Sequence, residues 1–568
     1  MRSVLLAVMP AVLPLSLLTA PEPPADLILT GGKVWTADAS CPVAQAVAVR
    51  DGKIVFVGTD KDAARWKGKK TQVVPLRGRL VTPGFEDAHM HVMSGARNLD
   101  RIDLTDETAL PAIQERIRRF AKANPASPWV LGRGWVYGSF PGGLPTREQL
   151  DAVVPDRPAY MDCYDGHTGW ANSRALVLAG ITRDTKDPQN GTIVRDPKTG
   201  EPTGALKEAA GGLVKDLLPE PDPERHYALL LQALELLNRT GITAVQDAGW
   251  TSEEVARYLP LLERARAAGK LTVRVRLTFD VSPDDPATGV AEAVRLRDRT
   301  QGGAIVFGGM KGYVDGVIES HTAAMLTPYS DDPALGRGMP RWGPAVLDRA
   351  VAAADKAGLQ VWLHAIGDRG IRMALDAYAG AAAQNGARDR RHRVEHVEAV
   401  DAADVPRFAA LGAVASMQPL HANPDQNNEE VWERNVGPER ARRGFAWRLI
   451  EQAGGRIAFG SDWPVVTPDV FRGLYCAVAR KTREGTPAGG WMPQSAVSVE
   501  SALRHYTIDA AWAGFGEKER GSLSVGKRAD LVVLSRDILA EPPEEILRTR
   551  ALFTLLDGKP VWRDPSLE

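Results

Sequence analysis

The stretch Val81-Thr82-Pro83-Gly84-Phe85-Glu86-Asp87-Ala88-His89-Met90-His91 decides how this chain is to be read. An apolar, β-like run ends at Pro83-Gly84, and a new segment carries two histidines. Proline lacks a ladder donor and glycine reaches conformations other residues avoid, so the pair marks a chain reversal. On an extended segment, side chains two apart share a face, which sets the imidazoles of His89 and His91 side by side. Two neutral imidazoles on one face are what a borderline metal such as zinc takes from a protein. The pair alone is weak, because short motifs recur by chance.

Four later segments repeat the arrangement, a short apolar run ending at a polar residue before a loop. Ile305-Val306-Phe307-Gly308-Gly309-Met310 leads to Lys311, with Gly312-Tyr313-Val314-Asp315-Gly316 behind it. Leu359-Gln360-Val361-Trp362-Leu363 leads to His364, and Arg393-Val394-Glu395 to His396. Arg456-Ile457-Ala458-Phe459-Gly460-Ser461 leads to Asp462, followed by Trp463-Pro464. In a (β/α)8 barrel the catalytic residues gather at the C-terminal ends of the strands. Each residue has an ordinary explanation by itself: Lys311 pairing with Asp315, histidines satisfied in a core, Asp462 bonding its own backbone in a turn. None of these explains the same placement recurring in the same order.

The series resembles the metal-dependent amidohydrolase superfamily, and within it the amidohydrolase-3 group of YtcJ-like proteins and N-substituted formamide deformylases. That group's wording recurs as Gly132-Arg133-Gly134-Trp135, Leu144-Pro145-Thr146-Arg147, Asp165-Gly166-His167 and Gly204-Ala205-Leu206-Lys207-Glu208. It recurs again as Gly460-Ser461-Asp462-Trp463-Pro464 and Gly526-Lys527-Arg528-Ala529-Asp530-Leu531. The resemblance implies an α/β protein: a TIM-like (β/α)8 barrel, a small β-sandwich built from both chain ends, and an inserted α/β subdomain. It implies that His89, His91, Lys311, His364, His396 and Asp462 bind one or two divalent metals, zinc being the first expectation. Lys311 would be N6-carboxylated, because a carbamate can bridge two cations where an ammonium repels them. Asp462 would both bind metal and move the proton during hydrolysis, by metal-activated hydroxide, of a non-peptide carbon–nitrogen bond in an N-acyl or N-formyl amide. Two alternatives stay open: ester, lactone or cyclic-amide hydrolysis at the same site, and a catalytically retired barrel that binds small molecules. Glu86 departs from the group, which often has an apolar or small residue there, and is either solvent-facing or a disturbance to the first metal.

Further residues are expected to line a substrate pocket. His167 and Trp135 lie in a Pro-, Gly- and Trp-rich region, His321 follows the Lys311 strand, and His421 sits where a seventh strand would end. Asn172 or Ser173 could equally make the segment after His167 a helix start. His364 and His396 need acceptors for their second ring nitrogens, and Glu395, Glu398 and Asp368 are candidates.

Composition agrees with a large globular enzyme. Of 568 residues, 44% are hydrophobic and 25% charged, ample for an extensive core. A net charge of −1 leaves no basic footprint for nucleic acid. Cys41, Cys163 and Cys476 are too few and scattered for a disulfide framework or a zinc cluster. Met1-Arg2-Ser3 and the apolar run Val4 to Leu18 resemble a secretory signal, so an exported, periplasmic protein is expected. The organisation read from the sequence is a signal and spacer over 1–24, β-sandwich strands over 25–82 and a barrel over 83–515. An insertion occupies about 96–225, and the remaining sandwich strands lie over 516–568. The expected partner is a small-molecule substrate, with no stable membrane association after export; a homodimer is left open.

Overall fold

A computed structural model describes residues 23–567 except Asp106, Glu220, Pro221, Gln301 and Gln426. The apolar leader therefore lies outside the described residues. The centre of the molecule is an eight-stranded parallel sheet. Its strands, numbered in chain order, are β1 (Phe85–Met90), β2 (Ile242–Trp250), β3 (Arg274–Asp280) and β4 (Ile305–Tyr313). They continue as β5 (Gln360–Ala365), β6 (Arg393–His396), β7 (Val414–Met417) and β8 (Arg456–Phe459). Each strand pairs with its sequential neighbour, and helices such as Ser252–Ala267, Pro286–Arg299 and Asp368–Asn385 cover the outside. Burial on both faces explains why β2 and β5 read as nearly continuous apolar runs.

The ring closes where β8 meets β1. Asp462 N–H donates to the His89 carbonyl at 2.6 Å, and His91 N–H donates to the Trp463 carbonyl at 2.7 Å. A side chain at Gly460 would place its Cβ 2.4 Å from His89 N, so glycine is what lets the two strand ends approach. Gly95, in the helix Val92–Asn98, plays the same part: a Cβ there would meet the Trp463 ring at 2.3 Å. The motif after β1 and the motif after β8 are thus packed into one another.

Two further sheets enclose the chain ends. One runs Lys53–Gly58, Ala46–Arg50, Leu27–Thr30, Gln72–Pro75; the other runs Lys559–Arg563, Ala551–Leu556, Leu531–Leu534, Leu80–Pro83, Lys33–Trp35, Val43–Ala44. In the second, Val532 lies opposite Thr82, so C-terminal and N-terminal strands are direct neighbours. Leu29, Val34, Val49, Val81, Leu531, Val533 and Phe553 form the core of this unit. Between β1 and β2 a separate six-stranded sheet spans Ile102–Asp103 to Pro202–Glu208, with its own core around Ile113, Val130, Trp135, Phe140 and Trp170.

Glu86 fits neither of its expected positions. It is buried and held by Arg520 through two hydrogen bonds of 2.8 Å, with Gln246 Nε2 donating a third at 2.8 Å. It joins β1 and β2 to the segment that leads into the C-terminal strands.

Candidate metal centre

The ends of β1 and β8 bring the first group of ligands together. His89 and His91 stand edge to face, their ring centres 5.5 Å apart. Asp462 follows β8 in the left-handed region, with φ at +59°, a conformation aspartate tolerates better than most residues. That turn aims its carboxylate at both imidazoles: Oδ1 is 3.1 Å from His91 Nε2 and 3.5 Å from His89 Nε2. Yet Oδ1 is buried without an aligned hydrogen bond to either ring. Three potential ligand atoms converging on one point are a set that a cation satisfies.

A second group shares the same carboxylate. His396 Nδ1 lies 3.8 Å and His421 Nε2 3.7 Å from Asp462 Oδ2, and the two imidazoles stack with planes 9° apart. His421 Nε2 is also buried without a hydrogen-bond partner. The donor atoms of His396, His421 and Asp462 are mutually close enough to hold a metal ion, as are those of His89, His91 and Asp462. His396 follows the inward-facing Glu395, so simple alternation would turn it away from the cavity. Positive φ values of 78° at His396 and 51° at Val397 reverse that direction. For a β-branched valine this is strain of about 1–3 kcal/mol, a cost tolerated where the surroundings over-determine it.

His364 and Lys311 adjoin these groups. The His364 ring is 4.6 Å from that of His396, but its Nε2 bonds the Gly316 carbonyl at 3.2 Å, leaving Nδ1 as its free donor atom. Lys311, fully buried on β4, places Nζ 3.5 Å from His89 Nε2. Asp315 is not its partner. That carboxylate accepts the backbone N–H groups of Ala324, Ile366 and Gly367.

Electrostatics favours the ligand form of His89, His364, His396 and Asp462. Burial would lower His91 too, but Asp462 outweighs it and raises that imidazole above its ordinary value. Burial, assisted by Lys311, lowers His89 to about 4. Burial likewise holds His364 and His396 well below the ordinary imidazole value, with Lys311 adding for the former and His364 for the latter. Burial also lowers the Lys311 ammonium. Burial would raise Asp462, but His89, His91 and His396 outweigh it and keep the carboxylate ionised.

Besides Glu395, which the sequence offered as an acceptor, the residues Arg393, Gln418, Asp87 and Asp247 support the ligands. His89 Nδ1 is bonded by Glu395, which Arg393 holds in turn at 2.8 and 3.0 Å. Gln418 bonds His396 Nδ1 at 2.9 Å, so of the three expected acceptors Glu395 serves a different histidine and Asp368 serves backbone N–H groups. Asp87 accepts from His89 N and Ser461 N, locking β1 to β8, and Asp247 accepts from Val92 N. Asp87 and Asp247 lie beside the recognised motif or on an apolar strand, and only tertiary packing shows their partners.

A cavity of about 670 Å³ opens over these groups. His167 lines it, its Nδ1 3.0 Å from Glu208, which Arg341 holds at 2.9 Å. Asn172 caps the helix Ser173–Leu178, so both roles weighed for this segment are filled. Trp135 is corrected: it is fully buried in the inserted sheet, packed against Tyr137 and Phe140 with Nε1 donating to the Met161 carbonyl, and does not line the cavity. His321 is corrected too, because Asp331, at 2.9 Å, and the Tyr329 ring hold it outside the lining.

A model of the amidohydrolase family matches residues 72–562, nearly the whole described chain. This chain is an amidohydrolase. Among the relatives of this amidohydrolase, Protein LONG AFTER FAR-RED 3 of Arabidopsis thaliana is 33% identical, over 95% of this chain and 92% of its own. N-substituted formamide deformylase of Arthrobacter pascens is 31% identical over 94% of this chain and 97% of its own. The solved structure of an uncharacterized metal-dependent hydrolase from Pyrococcus horikoshii shares the fold, with TM-score 0.71 and 24% identity over 91% of this chain and 99% of that one. The amidohydrolase is therefore a metal-dependent enzyme acting on carbon–nitrogen bonds other than peptide bonds.

Proposed function

We propose that this amidohydrolase cleaves the acyl–nitrogen bond of a small N-substituted formamide or related N-acyl compound, as an exported enzyme. The observation that carries the reading is the position of Asp462, whose two carboxylate oxygens face two separate pairs of imidazoles, His89 with His91 and His396 with His421. In this assignment His89, His91 and Asp462 hold one divalent ion, and His396 with His421 or His364 holds a second. Zinc suits these imidazole and carboxylate donors. When bound, such a metal lowers the pKa of a water toward about 7 and polarises the carbonyl. Burial lowers Lys311 from the ordinary lysine value, which favours its neutral amine. That amine adds to carbon dioxide, and the new N–C bond yields a carbamate and releases one proton. The carbamate adds two anionic oxygens to a site rich in neutral donors.

Asp462 takes the proton from the attacking water and delivers it to the departing nitrogen, so the amine leaves neutral. Such positioned proton transfer contributes about 10²–10⁴-fold. His167, fixed by Glu208, meets the substrate from the inserted sheet. The formamide class is favoured by the deformylase relative. The test is metal content per chain in wild type and Lys311→Ala, together with turnover of matched formamides and formate esters. Nearly two equivalents, falling in the variant, with formamide preferred, is the expected result. One equivalent indifferent to Lys311 removes the carbamate, and ester preference removes the amide.

A further inference from the structure

One wall of the cavity has more acceptors than donors. Glu319 and Glu398 both line it and are both buried, at 9% and 7% exposure. The Tyr164 hydroxyl donates to Glu319 at 2.6 Å and Asn427 Nδ2 donates at 3.3 Å, both to Oε1. Trp432 Nε1 donates to Glu398 Oε2 at 2.8 Å, while Oε1 has His421 Nδ1 no nearer than 3.8 Å. Asn427, 3% exposed on the same wall, spends its amino group on Tyr164 and Glu319, and its Oδ1 is buried with no partner. A buried amide oxygen left without a donor costs about 1–3 kcal/mol, so an occupant with N–H groups is what this wall lacks.

Three of the cations that line the cavity, Lys215, Arg101 and Arg133, have partners elsewhere. Lys215 lies 2.7 Å and Arg101 3.4 Å from Asp162, and Arg133 donates to the Tyr164 carbonyl. Burial, and after it the charges of two more carboxylates, Glu398 and Asp165, push Glu319 up to about 8. Like charges gathered in a low-dielectric wall are costly unless a proton is taken up or a cation joins them. Among the described residues the donor sets close enough for a metal are the two built on Asp462, and Glu319 belongs to neither.

We infer that the substrate carries a cationic, hydrogen-bond-donating group, a guanidinium or a primary ammonium, received by Glu319, Glu398 and Asn427 beyond the scissile bond. The inference rests on the proposed hydrolysis in that it names the substrate class of the same cavity. A guanidinium offers five N–H donors in a plane, enough for both carboxylates and the Asn427 oxygen. It also supplies the positive charge this wall lacks.

The experiment is calorimetric titration of the metal-loaded full chain with butylguanidinium and with butylurea, its neutral counterpart of the same shape. Charge-assisted hydrogen bonds lead to an expected preference for butylguanidinium of at least about tenfold. In Glu319→Gln, which keeps the shape and the bonds from Tyr164 and Asn427, that preference should fall several-fold while metal content is unchanged. Equal binding of the two probes by the wild type overturns the inference, whatever the variant does. A preference of undiminished size in Glu319→Gln overturns the assigned wall. If the probe preference holds but no N-acyl compound is turned over, the hydrolytic reading fails and the cation site stands. Turnover of neutral formamides with no guanidinium preference has the opposite meaning.

Discussion

Glu395→Gln is the substitution that most directly tests how the protein prepares its ligands. Glu395 is an acceptor on two sides: His89 Nδ1 bonds one oxygen, and Arg393 reaches the carboxylate at 2.8 and 3.0 Å. Glutamine has the same shape but only one oxygen. If its amino group faces His89, the imidazole proton moves to Nε2, the atom that points at Asp462 and Lys311. If it faces Arg393, two donors meet in a buried space. Loss of such an orienting partner typically weakens metal affinity 10–100-fold, about 1.4–2.7 kcal/mol. The cost to folding is held below the ~3–5 kcal/mol of a broken buried ion pair. Arg393 keeps Gln246, the Ala88 carbonyl and Ser416 as acceptors, and its guanidinium lies 3.6 Å over the Trp362 ring. Competition against a chelator of known affinity, on wild type and variant of matched circular dichroism, measures the effect. A variant that binds metal as tightly as wild type would refute the reasoning that Glu395 sets the His89 tautomer.

Other expectations follow from the same geometry. His421→Ala should lower bound metal at least as much as His364→Ala, read by elemental analysis, because His421 Nε2 faces Asp462 while His364 Nε2 is bonded to a carbonyl. Arg520→Ala should destabilise the fold by about 3–5 kcal/mol in denaturant, since it strands the buried Glu86 carboxylate, and adding Glu86→Gln should recover a large part. His167→Ala should reduce kcat/KM by roughly tenfold, the worth of one substrate hydrogen bond, with metal content unchanged.

The barrel was legible because its strands carry buried apolar runs of the right length, and the ligand order because each polar residue stands at a strand's end. His89 and His91 could be paired from spacing alone. The role of His421 could not be assigned, because nothing local to Pro419-Leu420-His421 shows that its ring stacks on His396. Trp135 misled for a physical reason: an aromatic residue in an insertion packs its own core as readily as a pocket wall. Glu86 was unreadable because its partner, Arg520, is more than four hundred residues away. Asp87, Gln418 and Asp247 bond backbone or rings delivered by other strands, a relation absent from any linear pattern.

The strand Leu80–Pro83 is separated from β1 by Gly84 alone, and its neighbour in the sheet is Leu531–Leu534. Nearly the whole barrel is synthesised between those two partners. During translation the N-terminal strand therefore waits with one open edge until Leu531–Leu534 emerges, and a ribosome stalled before it would release a chain with its ligands made but this pairing unfinished. Long-range pairing of this type is slow to form and exposes strand edges to aggregation. The Leu531–Leu534 segment thus acts as a completion signal: the strand that leads into the first two histidines has Lys33–Trp35 on one side and gains its second neighbour only when that segment arrives.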